Sequence, residues 1–386
     1  MHNLQIPLGS YHPLMKDPEH FKIYLQDGKI VDTDLFIGYN HRGIEKLAEM
    51  KTYDKLPYLI ERICGICSNA HSSAISRAVE NAAGIEPNKK ARYIRSVVAE
   101  LERIQSHLLW FGTQSHSLGF DELFKDSLTC REHPLDLLEK ISGSRIHYGL
   151  SEFGGTKKDI TPEKQGVLKK ELGEIRALTE AMKEDFSSNE QYTHKLENIG
   201  VLSKKKAGEI GVVGPVAKAS GINLDMRLNG VNGAYSEIDF EAITRKKGDC
   251  LSRTEVRLDE IIQSIEIIEQ LLPIPKGKHR GKGRIEIDEP IKTIGRAEAP
   301  RGENFHYLHA GKKKPLRLRI RPPTYANFMC LHEMAMNGKI ADAPAIVISI
   351  DPCFNCTDRM CVIDLDENTE KVRTFHEIVE GKDKDA

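Results

Sequence analysis

The sequence has no apolar run that is long enough to cross a membrane. A spanning helix needs about 20 consecutive apolar residues, and every apolar stretch of this chain is much shorter. The opening residues, MHNLQIPLGS, also lack the basic and apolar segments of a secretion signal. We therefore expect a cytoplasmic chain that reaches a membrane only through partners.

The sequence also lacks an excess of charge of either sign. Its 56 Lys and Arg residues and 57 Asp and Glu residues leave a net charge of −1, which gives no reason to expect a nucleic-acid partner. Locally the charge is uneven. Residues 276–321 hold fourteen basic and five acidic residues, whereas residues 361–386 hold four basic and eight acidic residues. Most of these side chains are expected to be solvated, although the basic strip could face a partner subunit.

Cysteine is present, but not in a pattern that indicates disulfides. In the reducing compartment expected here, paired cysteines more often bind metal or carry out redox chemistry. Four of the eight cysteines form two CxxC pairs, Cys64/Cys67 and Cys353/Cys356. The other four stand alone and are predicted to be small buried residues, without the CxxCxxC run of an iron–sulfur cluster site in this chain; they are Cys130, Cys250, Cys330 and Cys361.

The apolar pattern predicts an α+β chain that is mainly α. Residues 21–32 alternate apolar and polar around Asp27-Gly28, which predicts an N-terminal β-hairpin. Helical periodicity follows, and a bundle of long helices is expected at the centre. The predicted helices cover the segment after Cys67 up to Gly84, the segment from Pro87-Asn88 to beyond Phe111, the segment from Thr161-Pro162 towards Phe186, and Leu251–Leu272.

A peripheral β-region is predicted after the helices. The run PIPKGKHRGKGR contains two prolines and three glycines and is predicted to be a loop. The runs RIEIDEPIKTIGRAEAP and PLRLRIRPPT are predicted to be strands, and AIVISI is predicted to be a strand that ends at Asp351.

Five segments are therefore predicted within one integrated domain. They are an N-terminal β-element (1–50), a helical core (51–272), a strand and loop region with the basic strip (273–330), a C-terminal segment that contains the second CxxC pair (331–359) and a tail (360–386).

The first CxxC pair lies in the run ERICGICSNAH. If a helix begins near Cys64, its spacing brings Cys64, Cys67 and His71 to one face. One CxxC alone is also compatible with a zinc ribbon or a redox dithiol. The second pair, however, follows 289 positions after the first, far beyond the spacing of a structural zinc site. Two pairs that meet only in the folded chain favour a four-thiolate cage for soft transition metals.

Four motifs in order resemble the large subunit of [NiFe] hydrogenases. They are HRGIE, ERICGICSNAHSSAISRAVE, EAPRGE and DPCFNCTDR. The opening IPLGSYHPLMKDPEHF and the run Thr357-Asp358-Arg359 are similar to the energy-converting, membrane-bound branch (group 4), which is related to the quinone-reaction subunit of complex I. The resemblance implies the large-subunit fold and reversible formation of H2 from protons and electrons.

The resemblance also assigns ligands to the metals. It implies that Cys64 and Cys353 bind nickel alone, that Cys67 and Cys356 bridge nickel and iron, and that the iron also carries CO and cyanide. Arg301 matches an arginine whose guanidinium lies next to the metals, and Asp351 matches a carboxylate near that arginine. His71 matches a histidine that hydrogen-bonds a bridging cysteine. Arg301, Asp351 and His71 could each instead have a structural role, as a salt bridge or a cap.

Two glutamates are candidates for further roles. Glu19 matches the proton gate of the family, which would accept a proton from the sulfur of Cys353. Glu45, in HRGIE, could bind Mg²⁺, take part in proton transfer or pair with Arg42.

Partners and alternatives follow from the same resemblance. It implies an iron–sulfur small subunit, integral membrane subunits, ferredoxin as indirect electron donor and nickel-insertion proteins. It also implies an endopeptidase that cuts after Arg359, so that 331–359 is the C-terminal metal-motif segment of the catalytic domain and 360–386 is a candidate maturation extension. The complex would lie on the inner face of the cytoplasmic membrane. The alternatives are a quinone- or sulfur-reducing relative of complex I, in which the thiolates are missing wholly or in part, and a structural subunit stapled by metal.

Overall fold

The computed structural model describes residues 4–8, 20–38, 40–230, 233–282 and 285–353. Glu19, Cys356, Arg359 and the predicted extension lie outside these residues. The strands are β1 (Leu4–Leu8), β2 (His20–Gln26), β3 (Lys29–Phe36), β4 (Ser151–Glu152), β5 (Gly155–Thr156), β6 (Ile291–Ala299), β7 (Gly302–Ala310) and β8 (Pro315–Arg321). The α-helices are α1 (Ile44–Glu49), α2 (Leu56–Glu61), α3 (Ser68–Ala82), α4 (Lys89–Ser117), α5 (Asp121–Ser142), α6 (Pro162–Ser188), α7 (Glu190–His194), α8 (Lys204–Ile210), α9 (Gly214–Ala219), α10 (Cys250–Gln270), α11 (Pro323–Asn327), α12 (Cys330–Ala335) and α13 (Ala343–Ser349).

Four long helices form the centre of the molecule, which confirms the predicted mainly helical α+β class. Helix α4 packs against α5 and α10, and α6 packs against α5 and α10. The helix α4 begins where the sequence predicts, because the side chain of Asn88 caps it by accepting the backbone N–H of Ala91 at 3.0 Å. Its apolar stripe is fully buried and includes Trp110 and Phe111. None of the helices in the described ranges is both long and apolar enough to cross a bilayer.

The predicted N-terminal hairpin is confirmed. Strands β2 and β3 pair antiparallel across Asp27 and Gly28, whose φ angles are 50° and 74°. Strand β1 extends this sheet on the other side of β2. The inward residues of the hairpin, among them Ile23 and Ile30, pack against Ala335 and Ala343 near the C-terminal end of the described chain.

A second antiparallel sheet, β6–β7–β8, lies directly on α3. Gly295 of β6 makes the closest approach, since a Cβ atom placed there would stand 1.9 Å from the carbonyl oxygen of Ala74. The face of the sheet that meets α3 is buried. Its other face, here called the outer face, is open in the described chain and carries Lys292, Ile294, Arg296, Phe305, Tyr307, His309, Arg317, Arg319 and Arg321.

Two local predictions were wrong. AIVISI is not a strand but lies in helix α13, which is buried among α4, α10 and α12. A short apolar run that is buried on all sides has no period to distinguish strand from helix. The strand predicted before Gly295 begins at Ile291, and residues 285–290 are irregular. Helix α3 confirms the helix predicted after Cys67, and it does not extend back to Cys64.

Candidate metal centre

The first cysteine pair lies in a tight turn between two helices. Helix α2 ends at Glu61 and α3 begins at Ser68, with Cys67 as its N-terminal cap residue. The turn directs the backbone N–H groups of Ile66 and Cys67 at the sulfur of Cys64, at 3.3 and 3.4 Å. Both cysteines are buried, while Gly65 between them is exposed. The buried sulfur of Cys64 is therefore held by backbone donors close to the surface.

Cys353 arrives at this turn from the opposite end of the chain. After α13 the backbone bends at Asp351, whose φ of 54° is unusual for a residue with a side chain. The N–H of Cys353 then donates to Oγ1 of Thr324 at 3.2 Å. Its sulfur stands 3.4 Å from the sulfur of Cys64, well beyond the length of a disulfide bond. The two halves of the predicted cage thus meet, 289 positions apart in sequence.

The pair has the spacing of two ligands to one metal ion. Two sulfurs that each bind a metal at about 2.3 Å stand roughly 3.3–3.8 Å apart, for angles between a right angle and the tetrahedral value. Within the described ranges no three His, Cys, Asp or Glu side chains form a complete metal-binding group, and the predicted ligand Cys356 lies outside them. The described residues therefore fit half of a thiolate cage.

Arg301 and Asp351 lie against the cysteines, as the sequence predicts. The arginine follows β6 in a tight turn and donates from Nε to the carbonyl oxygen of Asp351 at 2.8 Å and from Nη2 to its carboxylate at 2.9 Å. Burial opposes the charge of Arg301, but Asp351 and the sulfurs of Cys353, Cys67 and Cys64 raise its pKa above the usual range. The buried Nη1 has no hydrogen-bond partner among the described residues. A fixed positive charge with one unused donor therefore lies near the cysteine sulfurs.

His71 shows the same pattern of an unused donor. Its Nδ1 accepts from the side-chain amide of Asn304 at 3.1 Å and lies 3.3 Å from Nε2 of His306. Burial lowers the pKa of His71 to about 4, against the opposing effect of Cys353, so the ring is neutral at pH 7. With Nδ1 accepting, the proton lies on Nε2, and this buried nitrogen has no partner in the described part of the chain. Asn304 and His306 come from β7 and were not predicted as part of the site.

Glu45 is engaged by protein groups. Its carboxylate accepts from Arg319 and from the backbone N–H of Ile320, each at 2.8 Å. Arg42, the partner considered from the sequence, donates to the carbonyl oxygens of Arg62 and Ile63. Through these bonds the HRGIE motif connects the cysteine turn to β8. A magnesium site at Glu45 stays a prediction.

Two buried glutamates behind the cysteine turn were missed. Glu102 of α4 accepts the N–H groups of Asn69 and Ala70, at 2.6 and 2.9 Å, and so caps α3. Burial raises its pKa to about 8. Glu61 accepts the N–H of Gly149, and burial raises its pKa to about 7. Glu61 is the first residue of the ERICGIC motif, and its place beside Cys64 in the sequence could have identified it as part of the site.

A second buried group of charges, here called the charged cluster, joins α4, α9 and α10. Lys218 bonds to Asp225 at 2.6 Å and to Glu260 at 2.7 Å, and Arg227 bonds to Asp225 and to Glu100. His107 and Arg103 complete it, each contacting Glu260. Burial opposes these charges, but the neighbouring cations hold the pKa values of Asp225 and Glu260 well below their usual range. The lysine, arginine and carboxylate groups of the cluster therefore pair with each other, and the neutral ring of His107 bonds to Glu260 through Nε2.

Comparison with known proteins places this site in a family. Residues 118–287 and 283–359 match the family model described as the 49 kDa subunit of respiratory-chain NADH dehydrogenase. The chain is 34% identical over 377 residues to the membrane-bound hydrogenase subunit alpha of Pyrococcus furiosus, covering 93% of this chain and 88% of that one. It is 34% identical over 367 residues to an NADH-quinone oxidoreductase subunit of Dehalococcoides mccartyi, covering 91% of this chain and 97% of that one.

A solved structure agrees with these matches. A chain in the structure of the membrane-bound sulfane sulfur reductase, an archaeal respiratory membrane complex, superposes with a TM-score of 0.87 at 29% identity. The match covers 92% of this chain and 98% of that chain. The described fold is therefore shared by relatives whose names refer to hydrogen, quinone and sulfur.

Proposed function

Because this chain belongs to the family of the 49 kDa subunit of respiratory-chain NADH dehydrogenase, we propose that it is the catalytic large subunit of a membrane-bound [NiFe] hydrogenase. The observation that carries the proposal is the approach of Cys64 and Cys353, two buried cysteines that form no disulfide and whose sulfurs are 3.4 Å apart. A quinone site binds an organic molecule and needs no pair of metal-binding cysteines. Soft thiolates are instead the ligands of soft transition metals.

Four cysteines would hold the centre: Cys64, Cys67, Cys353 and, outside the described residues, Cys356. A nickel–iron centre, with CO and cyanide on the iron, would supply the redox chemistry that interconverts H2 with protons and electrons. Arg301 cannot give up its proton at neutral pH, so it provides a permanent positive charge beside the sulfurs. Asp351 holds the guanidinium in one orientation through two hydrogen bonds. His71 offers its Nε2–H as a neutral donor, oriented by Asn304.

Protons must leave the buried site through carboxylates or ordered water. We propose Glu19 as the acceptor of a proton from Cys353. Glu102 and Glu61 lie behind the cysteine turn, with pKa values of about 8 and 7. Groups with such values exchange protons readily near neutral pH.

The electron route and the partners follow from the same proposal. In the described chain the cysteines outside the site, Cys130, Cys250 and Cys330, are buried and free, and they belong to no group of three or more ligands that could hold a metal. Electrons would therefore pass through an iron–sulfur small subunit, with ferredoxin as indirect donor. The Pyrococcus relative and the sulfane sulfur reductase are both membrane-bound, which supports membrane partner subunits. A location at the inner face of the membrane is part of the same proposal. Nickel-insertion proteins and an endopeptidase would mature the chain.

The proposal is tested on the purified complex by measuring nickel and iron and recording the infrared bands of metal-bound CO and cyanide. We expect both metals and both sets of bands. Replacing Cys64 with Ser should abolish nickel binding and activity, because one terminal ligand is lost. Cys130→Ser is the matched control, since Cys130 is equally buried but lies between α5 and α6. Zinc without nickel, or absence of the infrared bands, would refute the hydrogenase function.

A second candidate is reduction of sulfur or quinone. The structural match to the sulfane sulfur reductase favours it, as does the match to a quinone oxidoreductase subunit. The same purified complex decides between them. Reduction of polysulfide or of a soluble quinone, without H2 production or H/D exchange, would support the second candidate.

A further inference from the structure

The outer face of the β6–β7–β8 sheet carries an excess of positive charge around an aromatic centre. A cavity of about 720 Å³ opens on it, lined by Arg296, Phe305, Arg319 and Arg321. The guanidinium carbons of Arg296 and Arg321 lie 5.6 and 5.8 Å from the centre of the Phe305 ring. Both arginines thus make a cation–π contact with the same ring, and both line the cavity.

Protein carboxylates in the described chain neutralise this face only in part. Arg296 and Arg321 share Glu303, Arg319 pairs with Glu45, and Arg317 pairs with Glu49. With Lys292 the face has five cations against these three carboxylates. The arginine side chains remain 39–50% exposed, whereas the carboxylates are 9–15% exposed. The three carboxylates are therefore more buried than the arginines that they position, and the guanidinium groups stay exposed to solvent.

The sequence contains one strongly acidic segment of suitable position. Residues 364–370, DLDENTE, hold four carboxylates and no basic residue. They follow the last described residue, Cys353, by eleven positions, which is a reach of up to about 36 Å. Cys353 is itself close to the face, because its N–H bonds to Thr324, three residues after Arg321. Both charge and chain length therefore suit an intramolecular contact.

We propose that the outer face binds the acidic segment 364–370 of the same chain. Carboxylates of the segment pair with the exposed ends of Arg296, Arg319 and Arg321. Because the segment follows the second CxxC pair, this contact anchors the chain beyond Cys356. The proposal concerns the full-length chain and does not depend on which metals bind.

Zero-length carbodiimide coupling of lysine to carboxylate tests the contact in the full-length chain. The double substitution Arg319→Lys and Arg321→Lys keeps the charge and introduces two amines that can couple. We expect mass spectrometry to find peptides that join the introduced amines to Asp364, Asp366, Glu367 or Glu370, and we expect their yield to fall at about 0.5 M salt. Coupling only to a second copy of the chain, or only to a partner subunit, would overturn the proposal.

Proteolysis provides an independent measurement. A protease that cuts after Glu should cleave at Glu367 and Glu370 about fivefold faster, or more, when Arg319→Glu and Arg321→Glu remove the attraction. The matched control is Lys312→Glu with Lys314→Glu, because these exposed lysines lie in the loop between β7 and β8 and give the same change in charge. Thermal melting of both variants checks the fold. Equal cleavage rates in folded test and control variants would overturn the proposal.

Discussion

The region around Cys64, Cys353, Arg301 and His71, here called the cysteine pocket, is buried and charged, as is the charged cluster. The polar atoms of the two regions are partnered differently. In the charged cluster Lys218, Asp225, Arg227 and Glu260 hold each other in ion pairs of 2.6–2.8 Å. In the pocket, Nε2 of His71 and Nη1 of Arg301 are buried without a partner in the described ranges. A buried unpaired donor costs about 1–3 kcal/mol. The cluster therefore pairs its own charges, whereas the pocket keeps costly donors of the kind that the proposed metal centre would use.

The largest effect on stability is expected from the charged cluster. Lys218→Met leaves Asp225 and Glu260 without their shared cation, and we expect the free energy of unfolding to fall by about 3–5 kcal/mol. The control Lys183→Met breaks an exposed pair with Asp259 and should cost less than about 1 kcal/mol. Denaturant titration of both variants measures the difference. Similar losses in the two variants would contradict the stabilising role of the cluster.

In the pocket we expect function to change more than stability. Arg301→Lys keeps the charge but loses the two-pronged contact with Asp351. Activity should fall on the order of 10²–10³-fold, as it does when an oriented donor is removed from an active site, while the melting temperature and nickel content stay close to the parent values. Arg317→Lys, at the exposed pair with Glu49, should leave activity unchanged. If Arg301→Lys unfolds the chain without affecting the activity of the folded fraction, the arginine is structural.

The smallest effect concerns acid stability. Burial lowers the pKa of His107 to about 4, below the value near 6.5 expected in the unfolded chain. The unfolded chain therefore binds one more proton between these values, so stability is lost as pH falls from about 6.5 to 4, by up to about 1.4 kcal/mol per pH unit.

Denaturant titrations at successive pH values check this effect. His107→Gln should make the slope shallower over that range. His116→Gln, at an exposed histidine of the same helix, should not change it. An unchanged slope in His107→Gln would show that this histidine already titrates normally.

The sequence was most informative where a local pattern fixes the outcome. Asn88 caps α4 as predicted, and the two cysteine motifs led to a pair of sulfurs in contact. Helix α13 was not predicted, because nearly all of its residues are buried and only packing decides its conformation. The turn at Asp351 was missed for a similar reason, since a positive φ at a residue with a side chain is imposed by tertiary contacts.

The charged cluster was also not predicted, although part of it can be recognised in the sequence. Glu100, Arg103 and His107 are spaced three and four apart and so share one face of α4. A charged stripe on a helix that is otherwise buried indicates partners on another helix. Those partners, Lys218, Asp225 and Glu260, lie more than 100 positions away, and no local pattern connects them.

Gly295 fixes the dimensions of the cysteine pocket from outside it. The strand β6 that contains Gly295 leads into Arg301, and the helix α3 that it touches carries His71. A single methyl group at position 295 would meet the carbonyl oxygen of Ala74 at 1.9 Å, so the strand would have to move away from the helix. Arg301 and His71 would then separate, although neither had changed. The width of the pocket therefore depends on a contact between the backbones of β6 and α3. A homologue with a side chain at position 295 must have a different distance between strand and helix, and so a different pocket.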